Sequence, residues 1–327
     1  MKVAVIGSGG REHAIIKKIK QSPKCSKLYA IPGNGGMSQD ATCVNIGVME
    51  FDKIKEFVLQ EQIDFCVVAP DDPLAGGLVD ILEDAGVKCF GPRANAAIIE
   101  ASKVFSKNLM KKYNIPTAKY EVFSSSVDAL EYLKQNENYP IVLKADGLAL
   151  GKGVIIAETQ KEALQAVKEM MEENKFGNSG KTIVVEEFLT GPEVSVLAFT
   201  DGNIVVPMVS SMDHKRIGDN DTGLNTGGMG TVAPNPYYTK QVEKECMENI
   251  FLPTINAMNK EGRKFKGCLY FGLMITPKGT KVIEYNCRFG DPETQVVLPL
   301  LKSDLLEIML AVSQENLTKE MVEFSSN

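Results

Sequence analysis

Four short, largely apolar runs mark the first hundred residues: Val3–Ile6, Leu28–Ile31, Asp64–Ala69 and Val87–Phe90. Helix-patterned segments lie between them, at Arg11–Ile19, Phe51–Gln60 and Leu74–Asp84. Runs this short, apolar throughout rather than at alternate positions, are strands covered on both faces. Strands joined through helices form a parallel sheet, and such sheets bind ligands beyond the carboxyl ends of their strands. The glycine and proline turns fall at those ends: Gly7–Gly10, Pro32–Gly36, Pro70–Pro73 and Gly91-Pro92.

The first turn, in VAVIGSGGREHAI, narrows the ligand. A dinucleotide fingerprint asks for GxGxxG and an acidic residue at the end of the second strand. Gly7 and Gly9 fit, but position 12 is Glu, and the second run ends Ile31-Pro-Gly-Asn34 with no carboxylate. A nicotinamide oxidoreductase is therefore disfavoured. Helix N–H groups at Gly9–Arg11 suit an anion, and Arg11 adds a bidentate donor. A mononucleotide or sugar phosphate fits better than NAD, with a bare strand–helix turn as the alternative.

At 327 residues the chain is long enough for two domains. A net charge of −6 argues against a broad basic face for nucleic acid. Seven cysteines occur without a CxxC pair, and only His13 and His214 could join them at a metal. Buried free thiols in a reducing compartment are expected. The apolar start MKVAVI breaks at Gly7, too short for a signal peptide core or a membrane span, so a soluble cytoplasmic protein is expected.

Beyond residue 101 the pattern becomes α+β. A helix is expected over Lys103–Tyr113, ending before Ile115-Pro116. Strands at Ile141–Ala145, Val154–Ile156 and Thr182–Glu186 alternate with helices at Val127–Gln135 and Lys161–Glu173. Longer strands follow at Glu193–Thr200, Ile204–Val209, Cys268–Thr276 and Lys281–Cys287, with a long helix at Lys240–Asn259.

Four separated segments make a candidate nucleotide site. Lys103 stands near a helix start. Lys144 ends a strand before a glycine loop running to Gly153, whose N–H groups can close over phosphates. The stretch Val184–Leu189 can offer backbone to an adenine edge, and Glu193 can take ribose hydroxyls. Alternation puts Glu284, Asn286 and Arg288 on one strand face, and two oxygen ligands two residues apart suit magnesium. Each segment alone also reads as an ordinary solvated strand end or edge.

Taken in order, these segments resemble the ATP-grasp superfamily and, within it, the glycinamide ribonucleotide synthetase family. The shared stretches are GSGGREHA at 7–14, PGNGG at 32–36, FGPRANAAIIEASKVFSK at 90–107 and VLKADGLALGKGV at 142–154. They continue with EEFLTGPEVS at 186–195, DHKRIGDNDTGLNTGGMG at 213–230 and EYNCRFGDPETQ at 284–295. The resemblance implies an α/β and α+β chain. Its N-terminal parallel-sheet, Rossmann-like domain would span 1–101, and its ATP-grasp domain 102–327, with a mobile lid at about 119–190. It implies ligation of glycine to 5-phosphoribosylamine through glycyl phosphate, using ATP and Mg2+ (or Mn2+). Other carboxylate–amine ligation, or nucleotide binding without turnover, are the alternatives. The implied partners are small molecules only, with neither nucleic acid nor membrane, and the chain would be a monomer or weak dimer.

The resemblance also implies roles for residues. ATP would be held by Lys103, Lys144, Gly151, Lys152, Gly153, Glu186, Glu187, Phe188, Leu189 and Glu193. Glu284 and Asn286 would hold the metal. Arg288 would clamp the glycine carboxylate or its phosphate, Asp213 would meet the glycine ammonium, and Lys215 would act beside them. Gly9, Gly10, Arg11, Glu12, Gly33 and Asn34 would hold the ribose phosphate. Asn225, Thr226 and Gly227 would form a second glycine loop near the reacting groups. His13 is expected to pack or cap, and neither histidine is expected to be a general base. Three positions depart from the family pattern: Asp71 follows Ala69-Pro70 where Gly-Pro-Glu is usual, Leu224 replaces a proline, and Asn220 replaces a glycine. The family also carries a C-terminal domain packed on the first, which is expected to be absent here.

Overall fold

The computed structural model describes residues 1–148, 153–173, 177–220 and 222–325, without the side chains of Asn178, Leu224 and Asn225. Its first sheet is parallel throughout: β1 (Lys2–Gly7), β2 (Lys27–Pro32), β3 (Thr42–Cys43), β4 (Phe65–Val68) and β5 (Lys88–Phe90), in the order β3-β2-β1-β4-β5. Residues along central β1 alternate between two cores: Ala4 and Ile6 enter one, Val3 and Val5 the other. Coverage on both faces is why the run shows no polar alternation. The two-residue β3 was not anticipated, because so short a polar stretch carries no pattern.

The expected helix over Leu74–Asp84 is two helices, Asp71–Ala75 and Leu78–Asp84. They break at Gly76-Gly77, where Gly77 takes φ +88°, a conformation that glycine reaches without strain. A helix over Ala94–Ala101, also not anticipated, leads into Lys103–Lys112. Ser102 separates the two and caps the second, its Oγ accepting from the Phe105 N–H at 3.0 Å.

Four antiparallel strands follow as a separate sheet: β6 (Tyr120–Phe123), β7 (Ile141–Ala145), β8 (Val154–Ala157) and β9 (Ile183–Glu187), ordered β6-β9-β7-β8. This sheet has its own core with the two helices packed on it, built on Leu133, Leu143, Val167, Met170, Ile183 and Val185. The central sheet, β11-β10-β14-β15, is antiparallel and is formed by β10 (Glu193–Thr200), β11 (Val205–Pro207), β14 (Gly267–Thr276) and β15 (Gly279–Asn286). It shares both cores of the first sheet. Val194, Val196 and Phe271 enter one core with Ile6, while Leu197, Phe199 and Cys268 enter the other with Val5. The long helix spans 240–260 with one widened turn at Met247–Phe251.

Strands β12 (Met212–Gly218) and β13 (Thr222–Val232) form a two-stranded ribbon with register shifts around Arg216. At its tip Asn220 takes φ +57°, the left-handed conformation that asparagine tolerates best after glycine. The replacement of the usual glycine is thereby accommodated. The cysteines are free thiols, with Cys66, Cys89, Cys246, Cys268 and Cys287 buried. Among the described residues no helix is long and apolar enough to cross a membrane.

Candidate active site

The end of β15 collects the charge. Burial disfavours ionisation of Glu284, but Lys215, Lys144, Lys103 and Arg288 outweigh it and hold its carboxyl below the usual range. Asn286 donates its amide N–H to Glu100 Oε1 at 2.9 Å, which turns its carbonyl oxygen the other way. A carboxylate and an amide oxygen are the hard donors magnesium takes, and magnesium fills its remaining positions from water and phosphate. Arg288 lies beyond the strand end. Its Nη2 is 3.1 Å from Glu100 Oε1, and its buried Nε has no partner. Glu100 also accepts the Cys287 N–H at 2.7 Å, so one helix-borne carboxylate fixes three consecutive residues.

Both lysines join this place. Lys103 donates to the Gly147 carbonyl at 2.8 Å, at the entry to the glycine loop. Burial lowers its pKa, with Glu284 opposing. Lys144 donates to the Ile283 carbonyl at 3.0 Å and stands 3.1 Å from Glu186 Oε2. Lys107, absent from the expectations, reaches the same oxygen at 2.9 Å and donates to Thr117 Oγ1 at 2.8 Å. Burial pushes the Lys107 ammonium down to about 8, against the pull of Glu186. The Glu186 carboxylate, expected among the ATP-binding groups, is thus engaged within the protein on one side. Its Oε2 is held by two lysines, and its Oε1 is left buried without a partner.

The rest of the expected ATP set divides. Glu187 accepts from the Lys119 N–H at 3.0 Å and pairs with Lys281 at 2.7 Å. Its carboxylate is thus occupied in joining the small sheet to β15. Phe188 is 36% exposed, so its ring is open to a planar ligand. Glu193 is exposed at the start of β10, 3.6 Å from Lys215. The Gly153 carbonyl closes the loop base by accepting from Ala145 N–H at 2.8 Å. Gly151 and Lys152 lie outside the described residues.

The opening loop is more self-contained than expected. Glu12 is buried, and its Oε2 accepts the Gly9 N–H at 2.7 Å. A Cβ added at Gly7 would lie 2.4 Å from Glu12 Cγ, so the glycine makes room for this carboxylate. Arg11 does not project freely either. Its Nε donates to Glu12 Oε1 at 2.5 Å and its Nη1 to the Phe289 carbonyl at 3.2 Å, across to the β15 end. Asn34 donates to the Ser8 carbonyl at 2.8 Å and Gly33 N–H to the Gly7 carbonyl at 3.2 Å, so the two turns hold each other. Gly10 faces Gln295, whose amide nitrogen would meet an added Cβ at 2.8 Å. A cavity of about 630 Å³ opens here between the first helix and Gln295–Pro299. His13 pairs with Asp40 at 3.3 Å, which is packing rather than chemistry.

The expected second glycine loop is part of strand β13. Thr226 donates to the Lys215 carbonyl at 2.8 Å and accepts the Gly228 N–H at 3.1 Å, tying the ribbon together. Open space surrounds Gly227, and the Asn225 side chain lies outside the described residues. Asp213 Oδ1 is buried without a partner. Burial, then the charge of Glu293, pushes its carboxyl up to about 6. Lys215 resists burial and is held well above the usual lysine value by Tyr270, Glu284, Glu193 and Asp213.

Lys107 was within reach of sequence reasoning, since it lies one helical turn after Lys103. Glu100, Ser195 and Glu293 fall within the stretches that carry the resemblance, but their roles, and that of Tyr270, depend on pairings between segments far apart in sequence.

Known proteins match along the chain. The profile described as phosphoribosylglycinamide synthetase, N domain, matches residues 1–100, and that of its ATP-grasp (A) domain matches residues 101–294. A phosphoribosylamine–glycine ligase of Caldanaerobacter subterraneus is 50% identical over 99% of the chain and 78% of its own length. The protein of that name from Escherichia coli K12 is 48% identical, over 99% and 76%. The crystal structure of a phosphoribosylamine–glycine ligase from Thermotoga maritima superposes with a TM-score of 0.84 at 32% identity, covering 99% of the chain and 78% of its own. A biotin carboxylase from Campylobacter jejuni shares the fold, with a TM-score of 0.77 at 17% identity.

Proposed function

The chain belongs to the phosphoribosylglycinamide synthetase family, and from that membership we propose how its residues divide the work of an ATP-dependent ligase. The reaction joins glycine to 5-phosphoribosylamine, giving glycinamide ribonucleotide, ADP and phosphate in purine biosynthesis. The observation that carries the assignment of roles is the gathering of Lys103, Lys144, Lys215 and Arg288 around Glu284.

Lys103 and Lys144 neutralise the ATP phosphates, and the glycine loop ending at Gly153 covers them. Phe188, Leu189 and Glu193 receive adenine and ribose. Glu284 and Asn286 hold a divalent metal, magnesium in this reading. When bound, it supplies charge stabilisation to the phosphoryl group in transfer. A carboxylate oxygen of glycine attacks the γ-phosphorus, the bond to ADP breaks, and glycyl phosphate forms. Arg288 orients that carboxylate. Asp213 accepts from the glycine ammonium, with Lys215 balancing the local carboxylates. The amine of phosphoribosylamine then attacks the acyl carbon, loses a proton, and expels phosphate. Exclusion of water protects the acyl phosphate until then.

The amine substrate enters at Gly9–Arg11 and Gly33-Asn34, which lie beyond the strand ends of the first sheet. We divide the chain into a first domain at 1–101 and an ATP-grasp domain at 102–327, with a lid at about 119–190. The enzyme works in the cytoplasm as a monomer or weak dimer on small molecules. The net charge of −6 supports the absence of a polyanion-binding face.

Glycine labelled with 18O in its carboxylate tests this route. One labelled oxygen is expected in the released phosphate; unlabelled phosphate overturns the acyl-phosphate step.

A further inference from the structure

Strand β12 and the turn after β15 bring two acidic side chains to one place. Asp213 leaves its Oδ1 buried and unpartnered. Gly228 lies between this oxygen and Pro292: a Cβ added there would be 3.2 Å from Asp213 Oδ1 and 2.8 Å from Pro292 Cδ. The residue after Pro292 is Glu293, 3% exposed. Ser195 donates to Glu293 Oε1 at 3.1 Å, and its own oxygen lies 2.9 Å from the Tyr270 hydroxyl. Since Ser195 has one proton, Tyr270 donates to Ser195 and Ser195 to Glu293. This buried relay, from β14 through β10, fixes the Glu293 carboxylate.

Among the described residues neither Asp213 nor Glu293 forms an ion pair with lysine or arginine. A buried carboxylate beside a half-buried one whose inner oxygen has no partner is costly unless a cation with several donors joins them. An ammonium has three donors, which matches an orphaned oxygen and a second, fixed carboxylate. The repulsion is felt in the molecule, since Glu293 helps burial to raise the Asp213 carboxyl.

We infer that Glu293 is a second substrate-binding carboxylate, which together with Asp213 clasps the ammonium of glycine while Ser195 and Tyr270 hold it in position. This rests on the glycine-dependent reading above. The pair supplies recognition of an α-ammonium and leaves the glycine carboxylate free to face Arg288.

Calorimetric titration of the full chain, with magnesium and a non-hydrolysable ATP analogue present, tests it. The probes are glycine and glycolate, which keeps the carboxylate and lacks the ammonium. Glu293→Gln, which retains an acceptor for Ser195, is expected to weaken glycine binding about tenfold or more with glycolate unchanged. Glu293→Asp is expected to recover part of the loss, and both variants to melt within a few degrees of the unmodified chain. Unchanged glycine affinity in Glu293→Gln overturns the inference, as does an equal loss for glycine and glycolate. If the unmodified chain binds no glycine while binding the ATP analogue, the functional reading itself fails and this assignment goes with it.

Discussion

The Lys144 ammonium and the Glu186 carboxylate stand 3.1 Å apart with 6% and 3% of their side chains exposed, and Lys107 reaches the same oxygen at 2.9 Å. Two ammonium groups on one carboxylate leave a net positive charge in a poorly hydrated place, which a polyphosphate would neutralise. Lys144 is thereby held toward β15 through the Ile283 carbonyl, rather than extended into solvent.

Lys107 follows directly. If it shares the charge of Glu186, its loss lets Glu186 neutralise Lys144 alone and weakens the hold on phosphate. Lys107→Met is expected to raise the KM for ATP about tenfold and leave that for glycine within about twofold. Initial rates against each substrate decide it, and an unchanged KM for ATP makes Lys107 a purely structural group.

Glu284 carries the metal in this account. Glu284→Ala is expected to lower kcat by about three orders of magnitude or more while the far-ultraviolet circular dichroism is unchanged. Activity near that of the unmodified enzyme removes Glu284 from the metal site.

Asp213 makes stability depend on pH with a definite sign. Its carboxyl titrates at about 6 in the fold, against about 3.9 in an unfolded chain. Between those values the folded state holds more protons, so its contribution to stability falls as pH rises through that window. Asp213→Asn removes this loss. The Tm of the variant minus that of the unmodified chain is expected to grow between about pH 4 and pH 7. A difference that stays constant across that range contradicts the raised titration of this half-buried carboxylate.

Gly191 tests the packing behind the site. It takes φ +145°, and an added Cβ would lie 2.0 Å from the Ile275 carbonyl oxygen. Gly191→Ala is expected to cost about 2–4 kcal/mol by denaturant unfolding. A loss below about 0.5 kcal/mol shows that the turn rearranges freely.

The parallel sheet was legible because β1, β2, β4 and β5 are buried on both faces and therefore read as unbroken apolar runs. Lys103, Lys144, Glu284, Asn286 and Arg288 were legible because each sits in a stretch whose spacing reflects one strand or one helix turn. The β12–β13 ribbon was not. Its polar, glycine-rich sequence looks like a loop, and its pairing across Thr226 and Lys215 depends on irregular register. Local competition hid more: Glu12 spends its carboxylate on the Gly9 N–H, and Arg11 reaches back to Phe289, choices that residue types alone do not reveal. Glu293 lies in a stretch that carries the resemblance, but its role was not legible because its partners, Ser195 and Tyr270, lie on two other strands.

The most direct test is release of ADP from magnesium–ATP with glycine and freshly prepared phosphoribosylamine, each omitted in turn. Turnover that requires both, with glycinamide ribonucleotide formed one for one with ADP, is the predicted result. ADP formed at the same rate without glycine, or with another carboxylate in its place, would contradict the account.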